Sequence, residues 1–278
     1  MPHANQERCR SPTVRICNRL AFHIAAITIL ITVAPPDGMA GGQNGQPIPH
    51  SADRVAALAR KVERSLAQRG ARVAIVARLG RPRDSLPPDV RFTHVALAVY
   101  SDLTLDDGRQ VRGYTFHNLY ETPENARRSG YVQDYPFDFF ANAVELKAGI
   151  LVLHPKLQRA IIRLVASGYL HGLHRTDYSV ISNPHNARYQ NCTEFVLDAI
   201  HASLYETTEV AELKSISEQF FEPQPVKLGA MRSLFASLVV PEVRFDDHDG
   251  QAATATFSTI ARYLQTHVLS RVSYEVTL

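Results

Sequence analysis

The chain has 278 residues, enough for one large domain or two small ones. Apolar residues make up 45% and charged residues 21%, which excludes a disordered chain, and no G-X-Y period points to collagen. Lys and Arg exceed Asp and Glu by only three, too little for a nucleic-acid binder, and three cysteines (Cys9, Cys17, Cys192) are too few for a disulfide framework or a cysteine-rich zinc fold.

The first forty residues read as an export signal. Arg8, Arg10, Arg15 and Arg19 make a basic start, Leu20 to Ala34 an apolar run, and Gly38-Met39-Ala40 a small-x-small cleavage site. The run is too short for an ordinary membrane span. Cleavage after Ala40 leaves no stable membrane span, removes Cys9 and Cys17, and leaves Cys192 alone in an exported, periplasmic or secreted protein. Residues 41–50 read as a linker and residues 51–278 as a single domain.

Ser51 is placed to cap a helix with Val55, Leu58, Ala59, Val62 and Leu66 on its apolar face, and Gly70 ends it. Arg72–Leu79, Phe92–Tyr100 and Val111–Tyr120 read as strands, the last two joined through a turn at Asp106-Asp107-Gly108. Ile150–Leu153 is a short strand, and Pro155 opens a helix that Gly168 stops. Tyr178–Ile181 is expected as a further strand and Asn191–Leu204 as a helix. The last seventy residues read as mostly helical, with an edge strand near Val243–Phe245. Helices at the ends and antiparallel strands between them make an α+β fold.

The segment Tyr189-Gln190-Asn191-Cys192-Thr193-Glu194-Phe195 carries the most chemistry. Asn191 is a good N-cap with Glu194 in the capping-box position, which puts Cys192 at the first helical residue. A thiol there has its pKa lowered by the helix dipole, and the free N–H groups can hold an oxyanion. Cys192 also falls on an apolar stripe with Phe195, Val196, Ala199 and Ile200, the pattern of an inert buried cysteine. A thiolate mechanism needs a histidine base with a group to orient it. His94 interrupts an otherwise apolar or small-residue strand. An even hairpin loop puts His117 on its face; an odd one puts Asn118 there.

The strand "FTHVALAV", a polar residue in the next strand and the helix opening "NCTEFV" resemble the circularly permuted papain-fold hydrolases related to NlpC peptidases. "RYQNCTEFVLDAI", preceded by "YSVISNPHNA", resembles the bacterial domain of unknown function 2145 family. The resemblance implies a papain-like antiparallel sheet packed against helices, with Cys192 as nucleophile, His94 as base and His117, by analogy, as third residue. It implies an acyl or peptide substrate, from cell-wall peptide or lipid, with hydrolysis or acyl transfer as the reaction and no cofactor. The alternative is a non-catalytic exported binding or scaffold protein that keeps the fold. His171, His174 and His185 lack metal-site spacing, and Asp246–Gly250 lacks a calcium loop, so no metal is expected.

Overall fold

The computed structural model describes residues 49–87, 89–105, 107–226 and 243–278. The export segment, its cleavage point and nearly all of the linker lie outside the described residues.

Helix α1 (Ala52–Gln68) buries Val55, Leu58, Ala59, Val62 and Leu66, one face at helical spacing. It ends where Gly70 takes φ +60°, a conformation that suits glycine. Ser51 stands at the cap without a side-chain bond. Six strands follow the expected antiparallel plan: β1 (Val73–Arg78), β2 (His94–Thr104), β3 (Gln110–Thr122), β4 (Asn125–Asp134), β5 (Lys147–Leu153) and, from the end of the chain, β8 (Ser270–Thr277). Their order across the sheet is β4-β3-β2-β1-β5-β8, with every neighbouring pair antiparallel.

Alternate residues of the central strands feed two cores. Ala74, Val76, Ala96, Ala98 and Phe116 pack with α1 and with α2 (Pro136–Ala141). Val73, Ile75, Val95, Leu97 and Leu151 pack with α3 (Pro155–Ala166), α5 (Cys192–Tyr205) and α7 (Phe257–Thr266). Burial on both faces explains the unbroken apolar runs in β1 and β2. The short α4 (Tyr169–Gly172), α6 (Val210–Phe220) and the two-residue pair β6 (Gln224–Pro225) and β7 (Ala253–Thr254) complete seven helices and eight strands among the described residues. The result is a mixed α+β fold.

Three expectations change. Tyr178–Ile181 is not a strand: Tyr178 makes one isolated bridge to Gln190, and Ser182 turns back on Ser179. Val243–Phe245 is not an edge strand: Arg244 is held by the Ser179 hydroxyl instead of a ladder. Among the described residues the chain's last part is not mostly helical: β8 forms one edge of the sheet, with β4 at the other. Both edge strands carry few buried apolar residues, so the hydrophobic pattern hid them.

Gly149 in β5 fixes how closely α7 approaches. A Cβ there would lie 2.5 Å from Phe92 Cε2 and 2.9 Å from Phe257 Cζ. Those two rings meet edge to face at 5.0 Å, and Phe92 goes on to line the cavity described next.

Candidate active site

Helix α5 starts at Cys192 because Asn191 caps it. The Asn191 side-chain oxygen accepts from the backbone N–H of Thr193 (3.0 Å) and Glu194 (2.8 Å), and its amide donates to Val180 O and Thr254 Oγ1, both at 3.1 Å. The cap therefore consumes two of the N–H groups expected to hold an oxyanion. The Cys192 N–H is not among the groups it takes.

Glu194 does not return the capping-box bond. Its carboxylate is bound by Arg175, by Lys214 Nζ (2.6 Å) and by Ser182 Oγ (2.6 Å). One turn on, Asp198 is bound by Lys214 (2.7 Å), Arg175 (3.1 Å) and Gln190 (2.8 Å). Both carboxylates are fully buried. Burial raises the Glu194 carboxyl, whereas at Asp198 Lys214 and Arg175 outweigh burial and hold it below its usual range. This ionic cluster locks the start of α5 to the 175–190 loop and to α6. Its signal in the sequence is Glu194 and Asp198 at i, i+4 on a largely apolar helix, a polar pair that a central helix must satisfy internally.

Cys192 is buried, 4% exposed. Burial pushes its thiol up, while the Val95 N–H, the Thr193 hydroxyl and the Arg78 charge pull the other way without reversing it. The direction is opposite to the lowered thiol pKa expected from the helix start, because burial disfavours the charged thiolate.

His94 opens β2. Ladder pairing of β2 with β3 ends at Leu97–His117, although β3 continues to Thr122. Cys192 lies near this unpaired end, with the Val95 N–H, next to His94, among the groups that act on its thiol. His94 and Cys192 both line one cavity of about 160 Å³, whose wall includes Phe92, Leu119, Val180 and Ile181.

The hairpin decides which residue faces His94. Thr104 pairs with Gln110, so the loop is residues 105–109, an odd count. His94, Ala96 and Ala98 then share a face with Phe116, Asn118 and Tyr120. Asn118 Oδ1 lies 2.7 Å from His94 Nε2. His117 faces the opposite side, between Thr115 Oγ1 (3.0 Å) and the Tyr131 hydroxyl (2.5 Å), with burial lowering its pKa to about 4. The placement of His117 beside His94 is corrected accordingly, and the cause is loop parity.

Three further residues surround His94 that motif reading did not single out. Tyr120 stacks on its ring, with centroids 4.7 Å apart and planes 10° apart. Asp134 accepts from the Tyr120 hydroxyl (2.6 Å) and from Asn118 Nδ2 (3.3 Å). Arg78, directly across the β1–β2 pair, is fully buried and donates to Asn142 O at 2.8 Å. Burial first, then the Arg78 charge, lower the His94 pKa to about 3, so the imidazole is neutral at physiological pH.

The other candidates are tied up structurally. His174 meets Ser129 Oγ (3.1 Å), His171 packs against Tyr131, and His185 meets Phe221 O (3.0 Å). The 246–250 segment is not a free solvated loop, since buried Asp247 accepts from Asn183 N at 2.7 Å and Asp246 pairs with Arg188 at 2.8 Å.

No curated protein and no solved structure matches the chain. Residues 65–264, which carry β1 to β5, the Asn118–His94 pair and the whole of α5, match the model of a family described as "Uncharacterized protein conserved in bacteria (DUF2145)". The chain belongs to that family.

Proposed function

We propose that this protein is a thiol-dependent hydrolase or acyltransferase acting on an amide or ester. Its nucleophile is Cys192, its base is His94, and Asn118 orients the base. The observation that carries this reading is the 2.7 Å bond from His94 Nε2 to Asn118 Oδ1, made on the wall of the cavity that Cys192 also lines. That bond occupies one ring nitrogen and leaves Nδ1 for the thiol proton.

Sγ attacks the substrate carbonyl carbon as its proton passes to Nδ1. The tetrahedral oxyanion collapses, the amine or alcohol leaves with that proton, and a thioester remains on Cys192. Water or another acceptor then attacks the thioester, giving its proton to Nδ1, and the thiol is restored. A strand-borne histidine held by an asparagine, with a cysteine opening a central helix, supports a papain-like, circularly permuted NlpC-like architecture. The export reading of residues 1–40 places the reaction outside the cytoplasm, on envelope peptide or lipid.

Acetylation by p-nitrophenyl acetate, read by intact mass and peptide mapping, tests this. The acetyl group should appear on Cys192 and turn over. Cys192→Ala should not react, and His94→Ala should react at least about 100-fold more slowly, the usual contribution of a positioned base. Undiminished turnover by folded Cys192→Ala removes the enzyme reading and leaves a binding protein that keeps the fold.

A further inference from the structure

Asn118 has one end that accepts and one that donates, and the end it turns toward His94 decides which ring nitrogen carries the proton. With Oδ1 toward Nε2, as found, Nε2 bears the hydrogen and Nδ1 keeps its lone pair. With the amide reversed, Nδ1 would carry the hydrogen and could take no proton from a thiol. His94 does not make this choice, because its ring satisfies either arrangement.

The choice is made at the far end of Asn118. Its Nδ2 faces acceptors alone: Asp134 Oδ2 at 3.3 Å, Val132 O at 3.3 Å and Phe116 O at 3.4 Å. Two of these are backbone carbonyls. The third, the Asp134 carboxylate, is 4% exposed and is held by the Tyr120 hydroxyl at 2.6 Å. The ring of that same Tyr120 lies flat on His94. One tyrosine therefore touches both ends of the chain that runs from carboxylate to amide to imidazole.

We propose that Asp134 and Tyr120 are positioning residues for the base: Asp134 fixes the orientation of Asn118 and through it the tautomer of His94, while Tyr120 holds the carboxylate by its hydroxyl and the imidazole by its ring. This rests on the reading of Cys192 and His94 as nucleophile and base. An ionised carboxylate accepts only, so it tolerates one orientation of Asn118. An amide in its place offers a donor as well, leaving only the two backbone carbonyls to favour that orientation.

Asp134→Asn makes that change at nearly constant volume. Nitrogen-15 NMR of the histidine ring reads the tautomer with no substrate present. Wild type should show the Nε2–H form alone, and Asp134→Asn a mixture of both. Acetylation of Cys192 by p-nitrophenyl acetate should slow by at least about tenfold with the melting temperature little changed, because a histidine in the wrong tautomer is no base. Tyr120→Phe keeps the stacked ring and loses the hydroxyl, and should shift both readouts in the same direction by less. An unmixed Nε2–H tautomer with wild-type acetylation in Asp134→Asn overturns the proposal. Should that variant not fold, the same pair of results in Tyr120→Phe overturns it. A tautomer shift in Asp134→Asn, with no acetylation even of wild type, upholds the tautomer control and removes the nucleophile reading instead, so the two failures are distinct.

Discussion

Cys192 and His94 are both held neutral. Burial pushes the thiol up and, with the Arg78 charge, lowers the imidazole to about 3, so no thiolate–imidazolium pair stands ready in the resting protein. In the proposed reaction the proton moves with the attack on substrate, not before it. Alkylation of Cys192 by iodoacetamide in the folded protein should therefore climb with pH through the ordinary thiol value of 9.0 and beyond. A plateau near neutrality in the measured rate–pH profile would show a preformed thiolate and refute this. The sequence made Cys192 and His94 visible through a capped helix and a polar interruption in an apolar strand. It left His117 and Asn118 open because only loop parity separates them, and parity depends on where the ladder closes. Asp134 stayed hidden because its role exists only once β4 is paired, at Phe116–Asp134, beside β3.

At the scale of elements, α5 is held less by an amphipathic face than by burial on every side, with charged residues neutralised inside. Lys214 of α6 bonds both Glu194 and Asp198. Lys214→Met should leave two buried carboxylates with Arg175 as the one cation bonded to both, and cost about 3–5 kcal/mol in urea denaturation. Adding Glu194→Gln should recover part of that loss, since the two residues share one network. A loss under about 1 kcal/mol, or strictly additive losses, would show that the cluster does not anchor the helix. Helices α1 and α3 were legible because each buries a single stripe. Strands β1 and β2 were legible as apolar runs. Edge strands β4 and β8 were not, because exposed edges need no hydrophobic alternation, and the 178–181 run reads as a strand only until its hydroxyls and carbonyls are seen to serve the α5 cap and the 243–248 segment.

For the molecule as a whole, three histidines are buried neutral: His94 near 3, His117 near 4 and His201 near 4, each lowered chiefly by burial. An unfolded chain protonates them near 6.5, while the folded one resists until far lower pH. Their stabilisation is complete above about pH 6.5 and drains away as pH falls toward 4, by up to about 1.4 kcal/mol per pH unit for each histidine. The raised carboxyls of Glu194 and Asp134 oppose this, because they take up protons first in the folded state. His201, whose ring nitrogens meet no partner among the described residues, isolates the effect. His201→Leu should flatten the slope of unfolding free energy against pH between 6.5 and 4.5, and an unchanged slope would refute the assignment. The site is also divided along the chain. Strands β2 to β4 supply the histidine, the asparagine and the carboxylate within residues 94–134, and the helix that brings the sulfur begins only at 192. Between Cys17 and Cys192 the sequence holds no other cysteine. A chain emerging from its N-terminus thus lays down the strands that bear His94, Asn118 and Asp134, along a stretch free of cysteine, before it adds the thiol that shares a cavity with His94.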